Sequence, residues 1–363
     1  METAFDVIVI GAGYAGAATA YHLSRLGSHR VLLLEREASP GRHASGKNAG
    51  LMRQAVGDAR VAGLVQETLR ALEAPPEDWP RREIFRRTGS WLLGEMQVLS
   101  GFAEVLKKND APYEIFDASS WSQNSLPQLP EALPKSRHHA ALFTPGDGVV
   151  EVQGLLANYL EAAQARGAVL RGATEARALV REPGGWRVET EVQAYRAPAV
   201  VNAGGAWAEE LGGRAGLAPK GLESRRRHLF LAEDPLGWGP SNPYLWDTQR
   251  EFYCRADARG LLLCAGDETV HPAAPPQVDP AVAAQLRVKL EAGFPALAAL
   301  QPRETWACLR TFWREGPFLV EEQAGAPGFF WVAGLGGHGM GSSFGIGRLA
   351  AERLHAFLIR QKP

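Results

Sequence analysis

Within "ETWACLRTFW", residues 304–313, Cys308 and Arg310 stand two positions apart between Trp306 and Phe312. Residues two apart on a strand share a face, so a thiol and a permanent positive charge would look the same way. A guanidinium offers a planar fork to a carboxylate, and it lowers the pKa of a thiol if the two side chains converge. Near the start of the chain, "GAGYAG" supplies Gly11, Gly13 and Gly16 between an apolar run and a helical pattern. That arrangement brings backbone close to a pyrophosphate on the positive end of a helix.

The elements around these glycines read as a βαβ opening. Phe5 to Ile10 is a β-branched apolar run, and "AATAYHLSRLG" puts Ala18, Tyr21, His22 and Leu26 near one helical face with Gly27 as its C-cap. Val31 to Leu34 forms the second strand and ends at Glu35, 24 positions after Gly11. A carboxylate there accepts hydrogen bonds from ribose hydroxyls and repels a 2′-phosphate. Two features favour FAD over NAD. "GRHASGKNAGLMRQ" places Ser45, Gly46, Lys47 and Asn48 where they could wrap a long dinucleotide. The C-terminus repeats the strand, glycine loop and helix grammar in "GFFWVAGL", "GGHGMGSS" and "FGIGRLAAERLHAFLIRQ". A helix start aimed across the sheet would stabilise the charge of a reduced flavin.

The 363 residues suggest two domains. Apolar content of 45%, charged content of 22% and a net charge of -1 describe an ordinary soluble protein without a global pull on nucleic acid or anionic membrane. Three cysteines without ligand spacing suggest neither a disulfide framework nor a metal site. No basic leader and no apolar run of about 20 residues is present, so the expected location is cytoplasmic. Prolines punctuate "APPEDWP", "SLPQLPEALPKS" and "HPAAPPQVDP", which read as loops of a second, more irregular domain. "VQGLLANYLEAAQARGAVL" is a helix feeding a strand, and "GGWRVETEVQAYRAPAVVNAGG" a hairpin followed by a buried strand. The expected class is α/β, with a discontinuous Rossmann-like FAD-binding domain and a β-rich α+β substrate-binding domain.

Taken in order, "FDVIVIGAGYAGAATAYHLSRLG", "VLLLEREASPGRHASGKNAG", "AVVNAGGAWAEEL", "ETWACLRTF" and "GFFWVAGLGGHGMGSSFGIG" resemble the FAD-dependent D-amino acid oxidase superfamily, which includes glycine oxidase, sarcosine oxidase and D-arginine dehydrogenase. The resemblance implies an FAD domain over 1–80, 145–215 and 320–363, and a substrate domain over 81–144 and 216–319. It implies cofactor contacts from Gly11, Gly13, Tyr14, Ala15, Gly16, Glu35 and Arg36, and from Ser45, Gly46, Lys47, Asn48, Ala49 and Gly50. Ala176, Ala203, Gly204, Gly205, Gly336, Gly337, His338, Gly339, Met340 and Gly341 complete that set. Arg310 matches the arginine that pairs with a substrate carboxylate, Tyr253 matches a tyrosine contacting the same group, and Arg227 matches a further substrate-facing arginine. Strand alternation puts Arg225 on the side of Arg227 and Arg226 on the other. His338 could touch the flavin ring or serve structure alone; His43 and Lys47 belong to the phosphate loop. Cys308 falls where the sarcosine oxidase branch joins a cysteine covalently to the flavin, and a buried filler is the other reading.

The implied reaction is oxidative deamination: hydride passes from the α-carbon of an amino acid to flavin N5, and the imine hydrolyses to a 2-oxo acid. Dioxygen or a quinone would then take the electrons. The D-arginine type carries histidine and tyrosine where this chain has Leu51 and Val56, and an acid near Gly89 and Ser90 where this chain has none. The expected pocket is built from Leu51, Met52, Arg53 and Trp91, for a small or apolar, or even acidic, amino acid: a D-amino acid, glycine or an N-methyl amino acid. The alternatives are a non-catalytic FAD-binding partner protein of the same fold, which would not need a carboxylate clamp, and an NAD-linked reductase, which the C-terminal glycine loop disfavours.

Overall fold

A computed structural model describes residues 3–117, 120 and 140–361; the stretch "SLPQLPEALPKS" lies outside them. Short apolar runs form a six-stranded sheet. Val7–Ile10 pairs in parallel with Val31–Leu34 on one side and Ala199–Asn202 on the other. Val169–Arg171 and Phe329–Ala333 extend the sheet in parallel, and Leu319–Glu322 closes one edge antiparallel. Both faces are covered, which is why these runs lack polar alternation. Val7, Val9, Val31 and Leu33 pack with residues of the helices Tyr14–Arg25, Val152–Ala165 and Ser343–Gln361. Ile8, Ile10, Leu32 and Leu34 meet Trp186, Val188 and Tyr195 of a three-stranded antiparallel sheet.

A second sheet of nine strands is mostly antiparallel. Its long strand Leu222–Ala232 pairs with Pro302–Trp313 along its length and also with Gly260–Cys264 and Thr269–Val270. Phe252–Asp257, Tyr244–Asp247, Ser90–Gly94, Ala140–Thr144 and Glu114–Asp117 continue it outward. The helix Pro280–Gly293 buries Val282, Leu286 and Leu290 against Phe252, Leu245 and Leu261, while Met96–Lys108 buries Leu99 and Leu106 with Leu92 and Leu142. The strands Leu51–Met52, Gly148–Val150 and Phe85–Arg87 form a small sheet.

Several local expectations shift. The first strand begins at Val7. The glycine-loop helix is capped by Leu26, not by Gly27; Leu26 is 40% exposed, and Leu23 takes the buried place expected for it. "HPAAPPQVDP" is loop only up to Asp279, whose side chain accepts from Ala281 N–H with Pro280 in the first turn of a helix. There proline is tolerated because its missing N–H would have no partner. The helices Ala59–Glu73, Met96–Lys108 and Pro280–Gly293 were not anticipated. Among the described residues no helix is long and apolar enough to cross a membrane, and no group of side chains could hold a metal ion. All three cysteines are free and buried.

Candidate functional site

A cavity of about 810 Å³ runs from the glycine loop to the paired strands of the large sheet. Gly11, Gly13, Tyr14, Ala15, Glu35 and Arg36 line its first end. The helix starting there has Gly13 as N-cap, no side-chain cap bond and no acid in its first turn, so no charge of its own first turn offsets the positive end of its dipole. Tyr14 N–H donates to Ser45 Oγ at 3.0 Å. Glu35 accepts from the N–H groups of Ala12 (2.9 Å) and Glu37 (3.0 Å), which leaves lone pairs for further donors. Gly11 has φ +101°, and a Cβ there would come 2.5 Å from Ala203 O. Ala176, Ala203, Gly204 and Gly205 complete this end. A backbone cradle that a Cβ would fill, an open helix start and an acid on the adjoining strand together fit a dinucleotide.

Two glycines expected at the cofactor stand off the cavity wall. A Cβ on Gly16 would lie 1.9 Å from Gly11 O, and one on Gly46 the same distance from Gly41 O. They close the two loops and are not among the residues that line the cavity. Sequence inspection also missed Trp207, whose ring lies 4.2 Å from the Arg36 guanidinium and 4.6 Å from the His43 ring. His43 is further held by Glu37 Oε1 at 2.9 Å.

The middle of the cavity lies between two loops. Ser45, Lys47, Asn48, Ala49 and Gly50 line one side, and the large sheet holds that loop through its carbonyls: Trp306 Nε1 donates to Lys47 O (3.0 Å) and Arg255 Nε to Ala49 O (2.7 Å). Gly336, Gly337, His338, Gly339, Met340 and Gly341 line the other. His338 lies before the helix, which starts at Ser343, and its carbonyl accepts from Ser342 Oγ at 2.8 Å. Burial, with Arg53 and Arg310 adding to it, pushes the His338 pKa down to about 3, so the ring is neutral near pH 7. A Cβ on Gly337 would come 3.0 Å from Arg310 Nη1; glycine makes room for the guanidinium.

The far end carries the chemistry-bearing side chains. Antiparallel register sets Arg310 opposite Arg225 and Cys308 opposite Arg227, and directly opposed residues share a face. Arg310 Nη2 donates to Tyr253 OH at 3.3 Å. Burial drives the Tyr253 pKa far up, which keeps the phenol neutral. Arg227 is ion-paired with Glu268, and Arg225 is held by Glu223 (2.9 Å) and Glu268 (3.2 Å). Arg226 points the other way, to Asp279 at 2.7 Å. Leu51 and Arg53 line the wall, with the Arg53 guanidinium 3.9 Å from the centre of the Trp246 ring. Cys308 is on the wall as well, but burial pushes its thiol up to about 11 against the opposing pull of Arg310.

Met52 and Trp91, expected in the pocket, are not on its wall. Met52 packs in the core of the six-stranded layer, and Trp91 is fully buried with ring neighbours Phe143 and Phe116. Val56 is likewise core, and Ser90 donates to Asp147 Oδ2 at 2.6 Å. Buried Asp147 also accepts from Gln54 N–H, Gln54 Nε2 and Tyr244 OH, each at 3.0 Å. This network fixes the backbone directly after Arg53. Neither Asp147 nor Glu268 carried a sequence signal, since each meets its partners across 41 or more residues of chain.

The comparisons agree with this layout. The chain is 25% identical over 262 residues to mouse mitochondrial dimethylglycine dehydrogenase, covering 71% of this chain and 30% of that protein. It therefore spans under a third of that relative's length. It is 28% identical over 226 residues to glycine oxidase of Geobacillus kaustophilus, covering 60% of this chain and 59% of the oxidase. L-proline dehydrogenase from P. horikoshii shares the fold, with a TM-score of 0.85 at 19% identity over 97% of this chain and 93% of that one. The model of the family described as DAO, FAD dependent oxidoreductase, matches residues 6–353. The open helix start, the glycine cradle and the second glycine loop thus lie within one matched span, and the chain belongs to the FAD-dependent oxidoreductase family.

Proposed function

We propose that this chain oxidises the carbon–nitrogen bond of an amino acid or N-alkyl amino acid. The observation carrying the reading is Arg310, a guanidinium hydrogen-bonded to a neutral tyrosine and, among the described residues, to no carboxylate, on the wall of a cavity that begins at a dinucleotide-type glycine loop. Glycine and dimethylglycine, named for the relatives, both join an amine to a carboxylate one carbon away. Residues 1–80, 145–215 and 320–363 would hold FAD, with the Tyr14 helix start at the pyrophosphate and Glu35 at the ribose. Residues 81–144 and 216–319 would supply most of the substrate wall.

When bound, FAD supplies a two-electron acceptor for the hydride lost from the α-carbon. Arg310 and Tyr253 grip the carboxylate and so fix where that carbon sits, a gain in positioning that replaces much of the work of a catalytic base. His338, neutral near pH 7, adds no positive charge beside the amine and can accept one of its hydrogen bonds. The N–H proton goes to solvent, and water then splits the imine into an oxo acid and ammonia or an amine. Purified yellow holoprotein, mixed without oxygen with glycine, sarcosine, dimethylglycine, proline and both alanine enantiomers, is expected to lose its flavin absorbance with at least one. A flavin that no amine bleaches overturns the reading.

A further inference from the structure

The arginines at the strand-pair end, on the cavity wall or beside it, divide into those with an acid and those without. Arg227, its side chain 5% exposed, is neutralised by Glu268, and Arg225 shares Glu268 with Glu223. Among the described residues Arg310 has only the Tyr253 hydroxyl, and Arg53 only the face of Trp246. Among the described residues no carboxylate stands within ion-pair distance of either.

Leaving two guanidiniums unpaired in one cavity is costly. Burial holds the Arg53 pKa below its ordinary value, and the positive charge of Arg310 acts in the same direction. The nearest acid acting on Arg53 is Asp147, whose two oxygens already take four donors from Gln54, Ser90 and Tyr244 and which is off the cavity wall. Asp147 serves the backbone behind Arg53 instead. Trp246 fixes the guanidinium plane from one side and also lies 4.8 Å from the Tyr253 ring. Arg53 and the Tyr253 partner of Arg310 thus both pack against the ring of Trp246. Such a preorganised, unpaired cation is a binding group awaiting an anion.

Resting on the amine-oxidation reading above, we propose that the substrate is a dicarboxylic amine: Arg310 and Tyr253 take the carboxylate beside the reacting carbon, and Arg53 takes a second carboxylate at the other end. One acid group would leave a bare charge in the cavity; two match both cations. The Arg53 to Trp246 stack sets specificity, because it holds the second cation at a fixed place on a wall that Leu51 also lines.

The test uses flavin-loaded protein and reads two things separately. The first is the perturbation of the flavin spectrum by acids that cannot be oxidised, succinate and glutarate against acetate and propionate. The second is anaerobic bleaching by iminodiacetate, aspartate and glutamate against sarcosine, glycine and alanine. Dicarboxylates are expected to bind roughly ten- to a hundredfold more tightly, the effect of one added charge-assisted contact. Arg53→Gln should collapse that ratio towards one, and Arg53→Lys, which keeps the charge, should restore part of it at unchanged flavin content. Equal binding of both classes overturns the proposal. So does a ratio that survives Arg53→Gln while the flavin reduction potential shifts, for Arg53 would then be the counter-charge of the reduced cofactor. If succinate discriminates but no amine bleaches the flavin, the two-cation site stands and the amine-oxidation reading fails.

Discussion

The two ends of the cavity are built from different material. At the glycine loop the contacts are backbone: amides of a helix start, carbonyls 1.9 to 2.5 Å from where a Cβ would be, and one acid tied to the same loop. At the strand pair the contacts are side chains, brought together from positions 51 to 310 and sorted by which cations have been given an acid. A backbone cradle tolerates almost no substitution but sets little specificity. A side-chain wall tolerates many substitutions, and each one changes what it accepts.

The largest effect expected from breaking this contrast is at Gly16. Gly16→Val places carbon on Gly11 O, and no rotamer relieves a backbone clash, so the purified variant should be colourless or insoluble; a yellow variant with normal flavin content would show that the cradle is looser than its geometry. At the other end, Arg310→Met should leave the colour in place and weaken turnover. Removing one partner of a buried charged contact costs about 2–5 kcal/mol, so kcat/KM for any bleaching amine should drop by at least roughly thirtyfold. Loss of flavin in Arg310→Met with unchanged kinetics per bound flavin would erase the distinction between the ends.

Those two substitutions also mark what was legible. Glycines between a strand and a helix betray themselves within a few residues, because the chemistry is local and backbone-borne; hence Gly11, Gly13 and Glu35 were readable together. Arg310 was readable through resemblance and through its spacing from Cys308. Met52 was misplaced although alternation contained the answer, since Leu51 and Arg53, the residues on either side of it, line the cavity and Met52 turns to the core. Trp91 was misplaced for a different reason: both faces of Ser90–Gly94 are covered, Trp91 and Leu93 in one core and Leu92 in another, by helices distant in sequence. Glu268 was invisible as the partner of Arg225 and Arg227, because that contact spans 41 and 43 residues.

Glu268 offers a way to sharpen the comparison. Glu268→Gln converts Arg227 from an ion-paired cation into a third unpaired one, and losing the charged hydrogen bond should cost about 1–3 kcal/mol of stability, read as a lower urea midpoint. The same change should tighten monocarboxylate binding, because a wall with more free cations holds anions better. A variant that is destabilised without gaining affinity for propionate would place Arg227 outside the reach of ligand.

Acid distinguishes the ends more gently. His22, on the glycine-loop helix, and His338, on the wall, both have pKa values pushed by burial to about 3. Between about 6.5 and 3 the unfolded chain takes up protons that these folded rings refuse, so stability falls as pH drops through that window. Bound succinate beside His338 should raise its pKa and recover part of the loss, while His22 is out of reach. Urea midpoints at pH 7 and pH 5, with and without succinate, in the wild type and in His338→Asn, check this: the ligand's pH-dependent benefit should shrink in the variant.

The smallest effect is expected at Cys308, the residue that lies between the two modes of construction. It faces the cavity from the side-chain wall, yet its neighbours Ala49, Leu229, Tyr253 and Cys264 close around it as core. Attack on the cofactor needs a thiolate, and burial holds this thiol up at about 11, outweighing the pull of Arg310, Arg227 and Lys47. A thiol held there stays protonated at neutral pH, which supports the reading of a filler. Acid precipitation of the yellow protein should therefore release the colour into the supernatant, and Cys308→Ala should keep its flavin and lose only a little stability. Colour that stays on the wild-type polypeptide and leaves in Cys308→Ala would mean that bound cofactor lowers the thiol pKa by several units, and that this end of the cavity, too, holds FAD by a bond of its own.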